Sequence, residues 1–328
     1  MSDWRYRFGE QKGTLLALLI FLVMFTIYVS NHPAGFTPNV VTTAANKGVL
    51  LALVAMAQTM VVITAGIDLS VGMVFILSNC VASYIVVGSP VMTALGVAGV
   101  LLVGVACGAL NGLIVIYGRL QPIVTTIATG AVYFGIALAL RPEPGATDAF
   151  NSDLADAFTG KLFDVIPASL VALAVVVLVI WVPFRRSVLG RAAYAVGSSE
   201  VAAYMSGVPI QRAKFLAYTL SGLLSALAGL YLTFFTYSGE ASAANGSTYT
   251  LYSIAAVVLG GVSLFGGSGS AIGAIFGALA FRAIGDLLFV FDIEPLWQPL
   301  FQGLVLMASV CIGAARLVRV RNRLDLFG

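Results

Sequence analysis

Long apolar runs constrain this sequence more than any other feature, because about 20 apolar residues in an α-helix cross the hydrocarbon core of a bilayer. Only 9% of the 328 residues are charged, whereas a soluble domain carries about 25%. The sequence therefore predicts an all-α polytopic membrane protein with about ten transmembrane helices, folded as a single transmembrane domain over residues 1–328. The candidate spans are 14–30, 48–64, 70–87, 92–117, 123–140, 166–184, 215–236, 251–265, 270–291 and 298–315.

Lysine and arginine residues predict which side of the membrane each loop faces, since cytoplasmic loops are enriched in them. Ten spans place both termini on one side, and a cytoplasmic N-terminus puts 13 of the 17 basic residues there. The loop 141–165 then faces outward and contains five acidic residues. The basic residues predicted to be cytoplasmic are Arg5, Arg7, Lys12, Arg119, Arg185, Arg186, Arg191, Arg212, Lys214, Arg316, Arg319, Arg321 and Arg323.

Two spans carry a glycine at every fourth residue, which produces a flat helix face on which another helix can pack closely. These spans are the fourth and the ninth, so the second of them enters the membrane from the opposite side. This relation indicates an inverted repeat with five spans per half, 1–165 and 166–328. Alternatively, each ladder serves only helix packing. The glycines are Gly104, Gly108 and Gly112 in span four, and Gly269, Gly273 and Gly277 in span nine.

Glycine-rich segments interrupt the chain between the second and third spans (66–72) and between the eighth and ninth (260–267). Non-helical backbone at membrane depth is tolerated only where it is buried in protein or lines a cavity. Both segments are therefore candidates for a pathway through the membrane. They face the same side, so the inverted repeat does not relate them. The candidate residues are Asp68, Ser70, Gly72, Gly261, Ser263, Gly266 and Gly267.

Asp68, Arg282 and Asp286 are the charged residues considered for a role at membrane depth, where an unpaired charge is costly. Asp68 follows a glycine, and it either caps the start of the third span or acts as a functional charge; the cap is the preferred interpretation. Arg282 and Asp286 lie four residues apart in span nine, so they can form an ion pair on one helix face. This pair is interpreted as structural, with a contact to a transported solute as the alternative.

Uncharged polar side chains within the spans are further candidates for a pathway. Hydroxyl and amide groups suit transient contacts with a neutral, polyhydroxylated solute, whereas fixed charges would suit an ion. The alternative for each residue is a hydrogen bond that holds two helices together. The residues are Gln58, Asn79, Asn111, Thr125, Thr126, Thr129, Gln298 and Gln302.

Several kinds of chemistry are missing from the sequence. None of the four lysines is followed by Ser or Thr, so the chain has no phosphate-binding loop of the G-x-x-x-x-G-K-[ST] type. The only histidine is His32, which leaves no Ser–His or Cys–His pair and no metal-binding cluster. The net charge of +3 is not a nucleic-acid signal. The sequence thus predicts no catalytic residues, no metal, no cofactor and no nucleic-acid partner, and a protein that is not an enzyme.

The loop 185–214 is the largest predicted cytoplasmic connection and contains a short helix signal. Ser199 can cap the free N–H groups of a helix that starts at Glu200, and Ala202 and Ala203 are good helix formers. Gly207 then ends the helix. A capped helix in this position indicates docking on a cytoplasmic partner, and the alternative is a helix that rests on lipid headgroups.

Four segments resemble the membrane permeases of bacterial ABC importers for monosaccharides, the group that includes ribose, xylose, arabinose and galactose permeases. The resemblance extends over nearly the whole chain, and the four segments together are far more specific than any single glycine motif. They are ITAGIDLSVG (63–72), GALNGLIV (108–115), GRAAYAVGSSEVAAYMSGV (190–208) and VVLGGVSLFGGSGSAIGAIFGAL (257–279).

The resemblance implies ten helices per subunit in the bacterial inner membrane, and a second permease subunit that is either identical or paralogous. It also implies a cytoplasmic ABC ATPase, a periplasmic sugar-binding protein, and membrane lipid as the surrounding partner. In this family the segment 200–207 corresponds to the coupling helix that fits a cleft in the ATPase. The pattern here is Gly197-Ser198-Ser199-Glu200, where many relatives have an asparagine, a difference that affects the cap rather than the docking.

Two other kinds of transporter are compatible with this sequence. An ABC permease for a nucleoside, a polyol or a signalling sugar would have the same architecture. An ion-coupled secondary transporter would need a coupling-ion site at membrane depth, for which Asp68 is the only candidate.

Overall fold

The computed structural model describes residues 3–146, 152–308 and 311. The four arginines at 316–323 and the last part of the tenth apolar run therefore lie outside the described residues. The helices are α1 (Asp3–Asn31), α2 (Pro38–Val62), α3 (Val71–Ile85), α4 (Pro90–Tyr117), α5 (Pro122–Leu140), α6 (Ser152–Thr159), α7 (Ala168–Val176), α8 (Val182–Arg186), α9 (Val188–Ser198), α10 (Glu200–Met205), α11 (Ile210–Thr236), α12 (Ala243–Leu259) and α13 (Ala271–Val290).

Seven of the described helical segments are long and apolar enough to cross a membrane. One of them, Ala168–Arg186, consists of α7 and α8 joined by a π-helical turn at Val177–Trp181. Helices α3 and α12 are shorter, with 15 and 17 residues, and a last helix begins after the 3₁₀ turn at Pro295–Trp297. The prediction of an all-α polytopic membrane protein is confirmed, while the total of ten spans and the side of each terminus remain predictions.

Helices α2 and α11 form the centre of the molecule. Every residue from 48 to 62 of α2 is buried, as expected for a helix that is apolar on all sides and surrounded by other helices. Helix α2 packs against α11, α12 and α13, and α11 packs against α2, α3 and α4. Helices α3 and α12 also contact each other.

The glycine ladders produce close helix contacts, as predicted, but the two ladders face different partners. A Cβ atom at Gly108 would overlap the carbonyl oxygen of Tyr218, so α4 and α11 approach backbone to backbone. In α13, Gly277 instead lies against the Ala256 carbonyl of α12. Gly269 precedes α13 and has a φ of +115°, so it belongs to a turn and not to the helical ladder.

Two short antiparallel strand pairings lie at the end of the bundle opposite α10. Strand β1 (Gly145–Ala146) pairs antiparallel with β4 (Ser238–Gly239), and β2 (Lys161–Leu162) pairs with β3 (Ile166–Pro167). The Tyr237 hydroxyl donates a hydrogen bond of 2.5 Å to Asp156 in α6. This bond to a carboxylate, together with slight burial, raises the pKa of Tyr237.

The backbone leaves helical geometry between α2 and α3 (the first break, 63–70) and between α12 and α13 (the second break, 260–270). Ala65 in the first break and Gly261, Gly266, Gly267 and Gly269 in the second have positive φ angles. Glycine adopts this conformation without a steric penalty. Both predicted interruptions of the helices are therefore present, and they define the candidate site.

Candidate functional site

The two breaks contact each other although about 200 residues separate them in the sequence. The Gly267 amide donates a hydrogen bond of 3.0 Å to the Ile63 carbonyl. A Cβ atom at Gly266 would come within 2.7 Å of the Ala65 backbone nitrogen. The breaks thus share one junction, in which Ile63 is buried, Gly266 and Gly267 are partly exposed and Ala65 is exposed.

The glycine and serine candidates in and beside the breaks have structural contacts. The Gly72 amide donates to the Thr250 hydroxyl of α12 at 3.1 Å, and the backbones of α3 and α12 meet there without room for a side chain. Gly261 lies against Gly13 of α1. The Ser263 hydroxyl accepts a hydrogen bond from the Phe265 amide at 3.3 Å, which stabilises the turn.

Asp68 is buried in the first break, with 2% of its surface exposed. One carboxylate oxygen accepts hydrogen bonds from the Ser70 amide at 2.9 Å and from the Ser70 hydroxyl at 2.6 Å. The other oxygen accepts a bond of 3.1 Å from the Ser221 hydroxyl of α11. The bond to the Ser70 amide lies just before the first residue of α3, so it orders the turn that precedes the helix and does not cap the helix itself. The bond to Ser221 adds a long-range connection.

A chain of hydrogen bonds extends from Asp68 to two further helices. The Asn111 amide of α4 donates to the Ser70 hydroxyl at 2.7 Å, and the Tyr133 hydroxyl of α5 donates to the Asn111 oxygen at 3.0 Å. We call Asp68, Ser70, Asn111, Tyr133 and Ser221 the Asp68 network. It joins the first break to α4, α5 and α11 through neutral donors, and no described salt bridge reaches it.

Replacing Asp68 with leucine is expected to lower the free energy of unfolding by about 3 kcal/mol, because three buried donors lose their acceptor. Asp68→Asn keeps one carbonyl oxygen and is expected to cost about 1 kcal/mol. Thermal melting of the detergent-solubilised chain measures both effects. The exposed Glu143 provides a control, since Glu143→Leu removes a carboxylate without orphaning a described donor. Equal losses at the two positions would contradict the role of the network.

The amides of Asn79 and Gln58 differ in their surroundings. Both the nitrogen and the oxygen of the Asn79 side-chain amide form hydrogen bonds. The nitrogen donates to the Thr233 hydroxyl at 2.8 Å and to the Ser238 carbonyl at 3.0 Å, and the oxygen accepts from the Glu240 amide at 3.0 Å. Gln58 in α2 is completely buried, and neither amide atom has a hydrogen-bond partner among the described residues. Asn79 thus holds helices together, whereas Gln58 retains unused polar groups in the core.

The predicted ion pair between Arg282 and Asp286 is wrong. The Asp286 carboxylate pairs with Lys47 of α2 at 3.3 Å. Arg282 forms no salt bridge with any described residue, and its buried Nε atom has no hydrogen-bond partner there. A spacing of four residues makes the predicted contact geometrically accessible, but α13 packs on α2 and Asp286 meets Lys47 across this interface.

The short helix in the loop 185–214 is present as α10, and both of its ends are capped. The Ser199 hydroxyl accepts a hydrogen bond from the Ala202 amide at 3.3 Å. Gly207 has a φ of +71°, and the Val208 amide donates to the Ala203 carbonyl at 3.0 Å. This is the Schellman arrangement, in which a left-handed residue satisfies the last carbonyls of a helix.

The surface of α10 differs from the prediction in one respect. Ala203 is buried against the protein with 4% exposure, so it positions the helix and cannot contact a partner directly. Val201, Tyr204 and Met205 are 75%, 74% and 80% exposed. These three residues form an apolar face that the sequence reasoning missed, although their spacing of three and four residues indicates one helix face.

Helix α9 connects α10 to the junction of the two breaks. A Cβ atom at Gly197 would overlap the Ile63 carbonyl and stand 2.5 Å from the Gly267 nitrogen. Gly267 in turn lies against Ser198. Helix α9, which leads into α10, is therefore in direct contact with both breaks. Within the part of the chain that the structure describes, no group of His, Cys, Asp or Glu side chains could hold a metal ion.

Comparisons with known proteins support the functional interpretation. The family model described as branched-chain amino acid transport system / permease component matches residues 40–310. The ribose import permease protein of Haemophilus influenzae is 33% identical over 309 residues, which cover 93% of each chain. The D-allose transport system permease protein of Escherichia coli is 29% identical, covering 93% of this chain and 92% of the relative. The fructose import permease protein of Rhizobium meliloti is 33% identical, covering 91% and 83%. No solved structure matches the chain.

Proposed function

We propose that this chain is the permease of an ATP-driven importer for a monosaccharide. The chain belongs to the branched-chain amino acid transport system / permease component family. The observation that carries the sugar assignment is the similarity over more than 90% of the chain to permeases named for ribose, allose and fructose.

An inverted repeat of five spans per half, 1–165 and 166–328, is supported by helix contacts. With α2, α3 and α4 as spans two to four, and α11, α12 and α13 as spans seven to nine, most contacts among these six helices follow the repeat, whereas the packing of α1 on α13 has no counterpart between the sixth span and α4 among the described residues. Helix α4 packs on α11 as α13 packs on α2, and α3 packs on α11 as α12 packs on α2. The contacts α2–α11 and α3–α12 are also present, and each of them maps onto itself when the two halves are exchanged. Such a repeat places a pathway near the interface of the halves.

Coupling to ATP hydrolysis proceeds through α10. The chain has no phosphate-binding loop, so the free energy for uphill transport comes from a separate cytoplasmic ATPase. The exposed face of Val201, Tyr204 and Met205 supplies an apolar contact for this partner. Because α9 joins α10 to both breaks, a displacement of α10 would change the packing around the junction. ATP then shifts the equilibrium between the outward-open and inward-open states of the importer only if it binds the ATPase with different affinity in the two states.

The remaining partners follow from the same assignment. A second permease subunit, either identical or paralogous, and a periplasmic sugar-binding protein complete the importer in a bacterial inner membrane. The excess of basic residues in the loop 185–214 supports a cytoplasmic position for α10.

Reconstitution tests this proposal. The chain is purified with its ATPase and binding protein, placed in vesicles, and supplied with radiolabelled ribose, fructose, allose or leucine. Accumulation of at least one sugar is expected to require ATP hydrolysis and to persist in the presence of ionophores. Accumulation of leucine alone would contradict the sugar assignment. Uptake without nucleotide that ionophores abolish would contradict coupling to an ATPase.

A further inference from the structure

A cavity of about 760 Å³ lies where α10, the start of α11 and the turn between α4 and α5 meet. Its walls come from segments far apart in the sequence, with Arg119 and Leu120 on one side and Glu200, Tyr204 and Arg212 on the other. The size is within the range of about 300–1,000 Å³ that is typical of ligand sites. The cavity is therefore large enough for a ligand of the size of a phospholipid headgroup.

The charges in this cavity are unbalanced. Lys214 is neutralised by Glu200, which lies 2.8 Å away. Arg119 and Arg212 are exposed, and neither forms a salt bridge or a side-chain hydrogen bond with a described residue. The cavity therefore presents two unpaired guanidinium groups, which are suited to bidentate hydrogen bonds with phosphate oxygens.

The rest of the lining is largely apolar, which distinguishes this cavity from an ordinary solvated basic surface. Side chains of this kind would accommodate the glycerol and the first methylene groups of a lipid. Tyr117, next to the cavity, is 65% exposed, a position typical of an aromatic ring at a membrane surface. The apolar lining residues are Val115, Ile116, Leu120, Val208 and Ile210.

We propose that this cavity binds the headgroup of an anionic phospholipid of the cytoplasmic leaflet. The inference rests on the proposed function for the cytoplasmic position of α10. Basic pockets between helices at this membrane face bind anionic headgroups. Tyr204 belongs both to the cavity wall and to the exposed face of α10, whereas Val201 and Met205 do not line the cavity, so the lipid would lie directly beside the contact with the ATPase. The headgroup would lie between α10 and the α4–α5 turn, where it would restrict the movement of α10 relative to the spans.

Lipid binding by the full-length chain tests the inference. The chain is placed in nanodiscs of phosphatidylcholine with a small fraction of phosphatidylglycerol, and the retained phosphatidylglycerol is measured by native mass spectrometry. The double variant R119Q/R212Q is expected to bind this lipid about 25-fold more weakly, since each basic residue near an anionic surface contributes a factor of about five. Arg191→Gln provides a matched control, because Arg191 is an exposed basic residue of the same loop outside the cavity.

Three outcomes would overturn the proposal. Equal lipid retention by R119Q/R212Q and R191Q would show that the cavity is not the binding site. Displacement of the lipid by millimolar inorganic phosphate, with phosphate retained in its place, would identify a site for free phosphate instead. Loss of ATPase co-purification with unchanged lipid retention would identify a protein contact. Size-exclusion chromatography verifies that both variants fold. The binding measurement needs neither ATP nor sugar, so it is independent of the transport assay.

Discussion

Replacing Ala203 with proline is expected to reduce ATP-dependent sugar uptake more than tenfold while the protein still inserts into the membrane. The Ala203 amide donates a hydrogen bond of 3.0 Å to the Ser199 carbonyl, and the side chain is buried. Proline removes this donor and clashes with the preceding turn, at a cost of about 3 kcal/mol. Helix α10 has only six residues, so it cannot absorb this cost by shifting its start.

The matched control is Val188→Pro, a proline in the same loop at a position that tolerates it. Val188 is the first residue of α9, and Ser187 before it is extended with a ψ of 160°, as the residue before proline requires. Uptake and ATP hydrolysis are measured in vesicles containing the assembled importer. Ala203→Pro is expected to retain ATP hydrolysis by the ATPase but to lose uptake, whereas Val188→Pro retains both. Normal uptake by Ala203→Pro would disprove the coupling role of α10.

Local signals in the sequence were sufficient to predict α10. The serine cap, the acidic first turn and the terminal glycine act over fewer than ten residues, and each is present at Ser199, Glu200 and Gly207. The apolar runs and the two glycine breaks were predicted for the same reason. Hydrophobicity and backbone freedom are properties of a segment, and the membrane limits the structures that such a segment can adopt.

Contacts between distant segments could not be predicted in this way. The Lys47–Asp286 pair joins α2 to α13, and a local rule favoured Arg282 because it lies on the same helix. Ser221 and Tyr133 are unremarkable as isolated polar residues, and only the packing of α11 and α5 around α3 brings them into the Asp68 network. The burial of Ala203 depends likewise on how α10 rests on the protein.

The junction of the two breaks is the feature with the greatest functional consequence that the sequence left undetermined. Gly197 belongs to a regular helix, so its glycine has no conformational requirement that a pattern could reveal. Its significance comes from the backbones of Ile63 and Gly267, which leave no space for a side chain. Three segments that are far apart in the chain meet at this point, and one of them continues into α10.

Replacing Gly197 with alanine is therefore expected to reduce uptake more than tenfold and to lower the melting temperature by several degrees. Alanine is a better helix former than glycine by about 1 kcal/mol, so helix propensity alone would stabilise the variant. The added methyl group overlaps backbone atoms of both breaks, and overpacking of this kind costs about 1–3 kcal/mol or more. The steric cost of the methyl group exceeds the gain in helix propensity, because backbone atoms cannot move aside as a flexible side chain can.

Gly135 in α5 provides the control for the same substitution, since a Cβ atom there meets nothing within 4 Å. Gly135→Ala is expected to keep normal uptake and an equal or higher melting temperature. Both variants are compared at equal amounts of inserted protein, by uptake into vesicles and by thermal melting. If Gly197→Ala transports sugar at the parental rate, the contact between α9 and the breaks does not transmit the movement of α10. A loss confined to Gly197→Ala would instead assign the transmission to the backbone contacts of Gly197 with Ile63 and Gly267, which link the loop containing α10 to the two breaks.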